Sequence, residues 1–335
     1  MSQPVDERGP IDAAHFADEI AAGYRPVVLR GQAAAWPAVE AARRSDAALV
    51  DYIAALDSGR PTELLVGPPE IGGRYFYDDG LSGCNFQKRS TTVTGLLNHL
   101  LGQGDGGQSA ALYAGAAATD AVLPGWSEAN PIGFDLPTAQ ARVWIGNESH
   151  VATHFDESSN LMVVVAGRRR VTLFPPEQVD NLYLGPLHLT IAGPPVSMVD
   201  VAKPDLERYP RYAEAVRHGF HAELEPGDAL YIPPIWWHAV HAQGRLNVMV
   251  NHWWAEPGSR SALAAMIATL RAVRDLPPAH RQAWRHWFER MVFDDEASTM
   301  ADHLPGHARG YVGPPSPARD AFLRSIDGAP PGRSS

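Results

Sequence analysis

One cysteine, Cys84, stands among 335 residues. No intramolecular disulfide can form, and no cysteine-built zinc site exists. A run of about 18 apolar residues is also missing, so no segment of the sequence is expected to cross a membrane as a helix. The opening stretch, MSQPVDERGPIDAAHF, has no apolar signal core. A reducing cytoplasm is the expected compartment. Positive charge is scarce too: 28 Lys and Arg face 38 Asp and Glu, for a net charge of -10. That balance argues against a general binder of nucleic acid or of anionic membranes, and neither is expected as a partner.

What is present is globular. Hydrophobic residues make up 45% and charged residues 20% of a chain long enough for one large domain or two smaller ones. Residues 13 to 23 read as a short helix, and RPVVLRG holds a strand. SDAALVDYIAAL reads as a helix with Ser45 as its N-cap. TELLVG and GRYFYDD read as strands, TVTGLLNHLL as a helix, and 102 to 110 as a glycine-rich loop. From 111 the texture changes. ALYAG, ARVWIGN, VATHFD, NLMVVVAG, RRVTLF, HAELEP, ALYIP, WWHAVHA and RLNVMVNHWW are short β-prone runs separated by turn residues, the pattern of a sandwich or barrel. Between them, 175 to 220 is a long, partly helical excursion.

After Pro257–Gly258 the period becomes helical. Leu263, Met266, Ile267, Leu270 and Val273 mark one helix; Trp284, Trp287, Phe288 and Met291 mark a second. The Pro- and Gly-rich tail from 304 is expected to be loosely ordered. The division expected is 1–257, with a β core at 111–257, and 258–335.

Within the β-prone region, THFDESSN poses a choice between a metal site and a polar turn. On a strand, His154 and Asp156 point to one face and can offer a nitrogen and an oxygen to one point. His238, in PGDALYIPPIWWHAV, is a candidate third ligand. Two His and one carboxylate form the facial set of non-haem Fe(II) oxygenases, with positions left open. Packed core histidines are the bland alternative. His241 is a rival third ligand, but on a continuing strand it faces away from His238; His150, His188, His221 and His252 read as structural.

THFDESSNLMVVVAGRRRVTLFPPEQVDNLY followed by LEPGDALYIPPIWWHAVHAQGRLNVMVNHWW resembles the cupin-like branch of the JmjC oxygenases, the branch that includes asparaginyl hydroxylases. The likeness runs from about Tyr113 to Trp254, with RPVVLRG and YFYDDGLSGCNF fitting more weakly. It implies a mainly β double-stranded β-helix (jelly roll), Fe(II), 2-oxoglutarate and O2, and a hydroxylation that releases succinate and CO2. Carried onto this chain, His154, Asp156 and His238 are the iron ligands. Arg169 matches the basic position that meets the distal carboxylate of 2-oxoglutarate, where the asparaginyl hydroxylases have lysine. Alternation within Arg168–Arg169–Arg170 suggests one side chain in and two out.

Tyr113 matches a tyrosine at the same carboxylate; Asn160 and Asn251 match residues near the iron and the proximal carboxylate. One departure stands out. The hydroxylases have a threonine three residues before the first ligand, and here that residue is Val151; Thr153 is near but faces away on a regular strand. Trp236, Trp237, Trp253 and Trp254 wall either the site or the core. The C-terminal helices lie where the hydroxylases dimerise, so a homodimer is expected. The substrate, a protein or peptide side chain or a small molecule, is left to the loops at 68–110 and 175–220. N-methyl-lysine demethylation ranks lower. Competing classes are a cupin-fold metal-binding or sensing protein without turnover and a cupin isomerase.

Overall fold

A computed structural model describes residues 2–102, 109–134, 136, 138–191, 193–255 and 260–328. Most of the glycine-rich stretch expected at 102–110, and the boundary expected after 257, lie outside these residues. The chain forms two compact units, Met1–Ser259 and Arg260–Ser335.

Among the described residues thirteen strands build the first unit: β1 (Gln3–Pro4), β2 (Asp6–Arg8), β3 (Val27–Leu29), β4 (Thr62–Gly67), β5 (Arg74–Tyr75), β6 (Gln87–Thr91), β7 (Ala111–Ala118), β8 (Gln140–Gly146), β9 (Ser149–His154), β10 (Ser159–Phe174), β11 (Phe220–Leu224), β12 (Ala229–Ile232) and β13 (Trp237–Trp254). β10 and β13 are long and pair with each other along most of their length. Their two halves take different neighbours within one continuous sheet. The first half of β10 and the second half of β13 lie in the order β2-β3-β12-β10-β13-β8-β7-β4-β6. The other halves pair with β11 on one side and β9 on the other, and β1 and β5 extend those edges. This is the jelly roll that the sequence suggests.

NLMVVVAG is apolar without a break because both faces of that part of β10 are buried. Leu161, Val163 and Val165 meet an outer core with Val39, Leu49, Ile53, Leu96 and Leu97. Those partners come from the helices Pro37–Arg44, Asp46–Ala54 and Val93–Gly102. Ser45 caps the second of these, its hydroxyl accepting from Ala48 N at 3.1 Å. Met162 and Val164 face an inner core with Leu230, Ile232, Val240 and Met249.

Strict alternation from Met162 and Val164 would bring Arg168 and Arg170 inside. The β10–β13 register slips instead between Val164 and Arg168. Gly167 sits in that slip at φ +76°, a conformation side chains rarely adopt, and a Cβ there would collide with the Asn247 side chain. Beyond the slip Val171 and Leu173 lie in the inner core, and Arg169 is on their side of the strand and buried. Arg168 and Arg170 point out to Glu225 and Glu223, at 3.3 and 3.6 Å. The matching irregularity in β13 lets Val240 and Met249 share the inner core despite their odd spacing. His238 and Asn251, two residues beyond each, therefore share that face.

The PGD turn is tied to RPVVLRG. The Asp228 carboxylate accepts from Gly31 N at 2.9 Å and from the Arg30 guanidinium at 2.5 Å. In the 175–220 excursion the helical parts are Pro176–Asn181 and Tyr212–His218.

The second unit holds helices Ala262–Val273 and Pro278–Phe288, close to the expected pair. The tail departs from expectation: short turns of 3₁₀-helix occupy Gly306–Ala308 and Gly310–Val312, and Pro317–Gly328 is a helix. Pro317 starts that helix with a preset φ, and the Ser316 hydroxyl accepts from Arg319 N at 3.2 Å. Phe322 meets Tyr311, ring centroids 6.0 Å apart, giving the segment a small apolar anchor. No described helix is long and apolar enough to cross a membrane.

Candidate metal centre

His154 ends β9 and His238 nearly begins β13, and the two are direct cross-strand partners. Their ring centroids stand 4.3 Å apart. Asp156 lies just past β9, where its carbonyl accepts from Ile235 N at 2.8 Å, tying the H-x-D segment to IPPIWWH. Asp156 Oδ2 is 3.7 Å from His238 Nε2, and one ligand atom from each of the three residues lies within 4.8 Å of the others.

Each ring is aimed by its own strand. His154 Nδ1 meets Ala152 O at 2.9 Å and His238 Nδ1 meets Trp236 O at 3.0 Å. A carbonyl oxygen only accepts, so each Nδ1 donates its proton there and each Nε2 is turned toward the other ligand candidates. Burial, and after it the neighbouring His154, lower the His238 pKa to about 4, so the ring is neutral at neutral pH. Neutral imidazole is the form that binds metal. Two donors about 2.1 Å from one ion and at right angles stand ~3 Å apart, so for Asp156 and His238 a shift under ~1 Å closes the gap. The donor set therefore fits a divalent transition metal.

A buried amide chain supports the carboxylate. Asn160 Nδ2 donates to Asp156 Oδ2 at 3.3 Å, and Asn251 Nδ2 donates to Asn160 Oδ1 at 2.5 Å. Asn251 Oδ1 is buried with no partner.

Arg169 is 2% exposed, and among the described residues no carboxylate pairs with it; its Nε is buried without a partner. Burial lowers its pKa to about 10, so the guanidinium stays charged at neutral pH. An unpaired buried charge costs several kcal/mol, a cost that a bound anion would relieve. Tyr113 is close enough to feel that charge: burial raises its phenol pKa and Arg169 pulls it back. Tyr75 stacks on Tyr113 with centroids 5.6 Å apart, and its hydroxyl is buried without a partner. Tyr75 escapes sequence reasoning because β5 is two residues long and reaches the site only by pairing in parallel with β9.

β9 carries an extra residue: His154 pairs with His238, but Val151 pairs with Val240. Val151 therefore packs against the inner core, so the position of the expected hydroxyl does face inward, as an apolar group. Thr153 is fully buried and its hydroxyl has no partner. The tryptophans divide. Trp236 belongs to the inner core, Trp237 meets Phe155 edge-on at 4.8 Å, and Trp253 meets Trp144 at 5.8 Å. Trp254 stacks on Tyr231 at 6.0 Å, against the outer core. His150 and His241, read from the sequence as structural and as a rival ligand, come together on the opposite face with Glu148.

A jelly roll holding two histidines and a carboxylate at the mouth of its inner face defines a cupin-type protein. Residues 13–260 match the family described as Cupin-like domain, and the chain belongs to that JmjC-type family. It is similar to tRNA wybutosine-synthesizing protein 5 of Danio rerio, 34% identical over 146 residues, which are 38% of this chain and 42% of that protein. It is similar to HSPB1-associated protein 1 of Rattus norvegicus, 32% identical over 169 residues, 48% of this chain and 33% of that one. A third relative is lysine-specific demethylase JMJ31 of Arabidopsis thaliana, 36% identical over 112 residues, 33% of this chain and 20% of that one. The chain thus spans less than half the length of each of these relatives.

Proposed function

We propose that the chain is an Fe(II)- and 2-oxoglutarate-dependent oxygenase that hydroxylates a protein or peptide side chain or a small molecule, releasing succinate and CO2. The observation that carries the reading is the pairing of a two-His, one-carboxylate set with a buried, unpaired Arg169 on the same inner face. His154, Asp156 and His238 would hold the iron and leave positions open. Bound there, Fe(II) supplies activation of O2 coupled to oxidative decarboxylation of the cosubstrate.

The rest falls to the protein. Arg169 would hold the distal carboxylate with a charge-assisted contact, helped by the hydroxyls of Tyr113 and Tyr75. Those phenols take up the part left open by Val151. The Asn251–Asn160 chain would hold Asp156 in one orientation. Apolar walls from Trp236, Val240 and Met249 would exclude water from the reacting centre. The relatives' names span tRNA wybutosine synthesis, HSPB1 association and lysine demethylation, so the substrate is set by the surface around the site rather than by the family.

The test is uncoupled turnover. Purified protein with Fe(II), ascorbate and 2-oxoglutarate is expected to make succinate slowly, and Asp156→Ala is expected to abolish it. Binding of both iron and 2-oxoglutarate without succinate would instead make the chain a metal-binding or sensing protein. Binding of neither sinks the reading.

We also infer a homodimer. Met266, Ile267, Leu270, Trp284 and Trp287 are exposed on the C-terminal helices, an apolar surface that a second copy would cover. Light scattering that gives the monomer mass at tens of micromolar rejects it.

A further inference from the structure

We propose a second transition-metal site, built from Glu148, His150 and His241 on the outer face of the strand pair that carries the inner ligands. The proposal stands apart from the oxygenase reading. The bulge in β9 generates it: one rung beyond Val151–Val240, His150 pairs directly with His241. The two imidazoles lie nearly parallel, centroids 3.9 Å apart and planes 20° apart. Glu148, two residues before His150, closes the set from the strand's entry. Its Oε1 is 3.3 Å from His241 Nε2 and 3.9 Å from His150 Nε2. Both ring nitrogens thus face the same carboxylate oxygen, and the donor atoms lie within 4.8 Å of one another.

Burial, followed by the His241 ring, holds the His150 pKa below its ordinary value. A divalent cation of borderline softness meets two imidazole nitrogens and a carboxylate oxygen better than a shared proton does. His150 and His241 line one wall of a cavity of about 440 Å³, shared with Arg74, Arg170, Asp200 and Tyr212. That leaves room for water to complete the coordination. Zinc is the natural occupant, because two imidazoles and a carboxylate suit it and the site needs no redox change.

The placement has a consequence. β9 carries His150 and His154, and β13 carries His241 and His238, so an outer ion cross-links the two strands that present the inner donors. Outer zinc is therefore expected to raise the melting temperature of the first unit even when the inner set is removed.

The experiment titrates the metal-stripped full chain with zinc chloride by calorimetry. In a His154→Ala/Asp156→Ala background one equivalent is expected to bind, and adding His150→Ala/His241→Ala is expected to remove it. No binding in a folded His154→Ala/Asp156→Ala background overturns the proposal, as does an equivalent that survives loss of both outer histidines. If that background fails to fold, Glu148→Gln in the otherwise native chain replaces it, since Glu148 is exposed. A weaker second equivalent supports the site, and unchanged affinity overturns it. A native chain that binds one equivalent, lost in His241→Ala, keeps the outer site and removes the inner one.

Discussion

Two sets of His, His and carboxylate share strands β9 and β13, one on each face. Inside, His154 and His238 each donate Nδ1–H to a backbone carbonyl two residues back, and Asp156 is steadied by Asn160. Outside, His150, His241 and Glu148 meet mainly one another, with Glu148 largely in water. The ligand types are equivalent and the strands are the same. What differs is the surroundings: the inner set lies on the face with a buried cation and the buried, unpaired Tyr75 hydroxyl, and the outer set opens on a cavity with paired arginines. Equal donor sets can therefore serve different ends, and the neighbouring polar groups decide which.

The largest expected effect sharpens that contrast on β10. Arg169→Ala removes the buried cation, and the KM for 2-oxoglutarate is expected to rise about 100-fold, on the order of 3 kcal/mol, with iron binding retained. An unchanged KM in succinate release would place the anion receptor elsewhere. Next comes the slip that turns Arg169 inward. Gly167→Ala forces a side chain into a positive-φ position against Asn247, and chemical denaturation is expected to show a loss of about 2 kcal/mol. A native-like midpoint would mean that the slip tolerates a Cβ, so glycine would not explain it. The smallest effect belongs to the outward neighbour. Arg168→Gln breaks one exposed pair with Glu225, is expected to change stability by less than about 0.5 kcal/mol, and leaves the KM unchanged. A tenfold rise in KM there would erase the distinction between the two faces.

Much of the inner site is legible in the sequence. H-x-D brings two candidate donors close in sequence, although Asp156 falls just past the strand, and the Pro-Pro break before Trp236–Trp237–His238 marks where the third begins a new strand. Three consecutive arginines predict one inward side chain, although which one is inward depends on Gly167. Tyr75 and the outer set are not legible. Tyr75 joins through a two-residue parallel pairing between segments far apart in the chain. His150 and His154 look like same-face residues until the extra residue in β9 turns one of them over. The tail helix at Pro317–Gly328 was hidden because Pro and Gly dominate its flanks, while Ser316 and Pro317 supply a start.

Local pattern pointed to a β sandwich or barrel and to the helical end of the chain; the resemblance to a known family brought His154, Asp156 and His238 forward as candidate donors. Period and ligand chemistry are properties of neighbouring residues, and they need no long-range information. The facing of side chains beyond each bulge was decided only in the folded sheet. A one-residue slip reverses every later side chain on a strand, and the slip is set by how β9, β10 and β13 pair across the jelly roll. That pairing sends Arg169 to the same inner face as His154, Asp156 and His238 and brings His150 and His241 together on the far side.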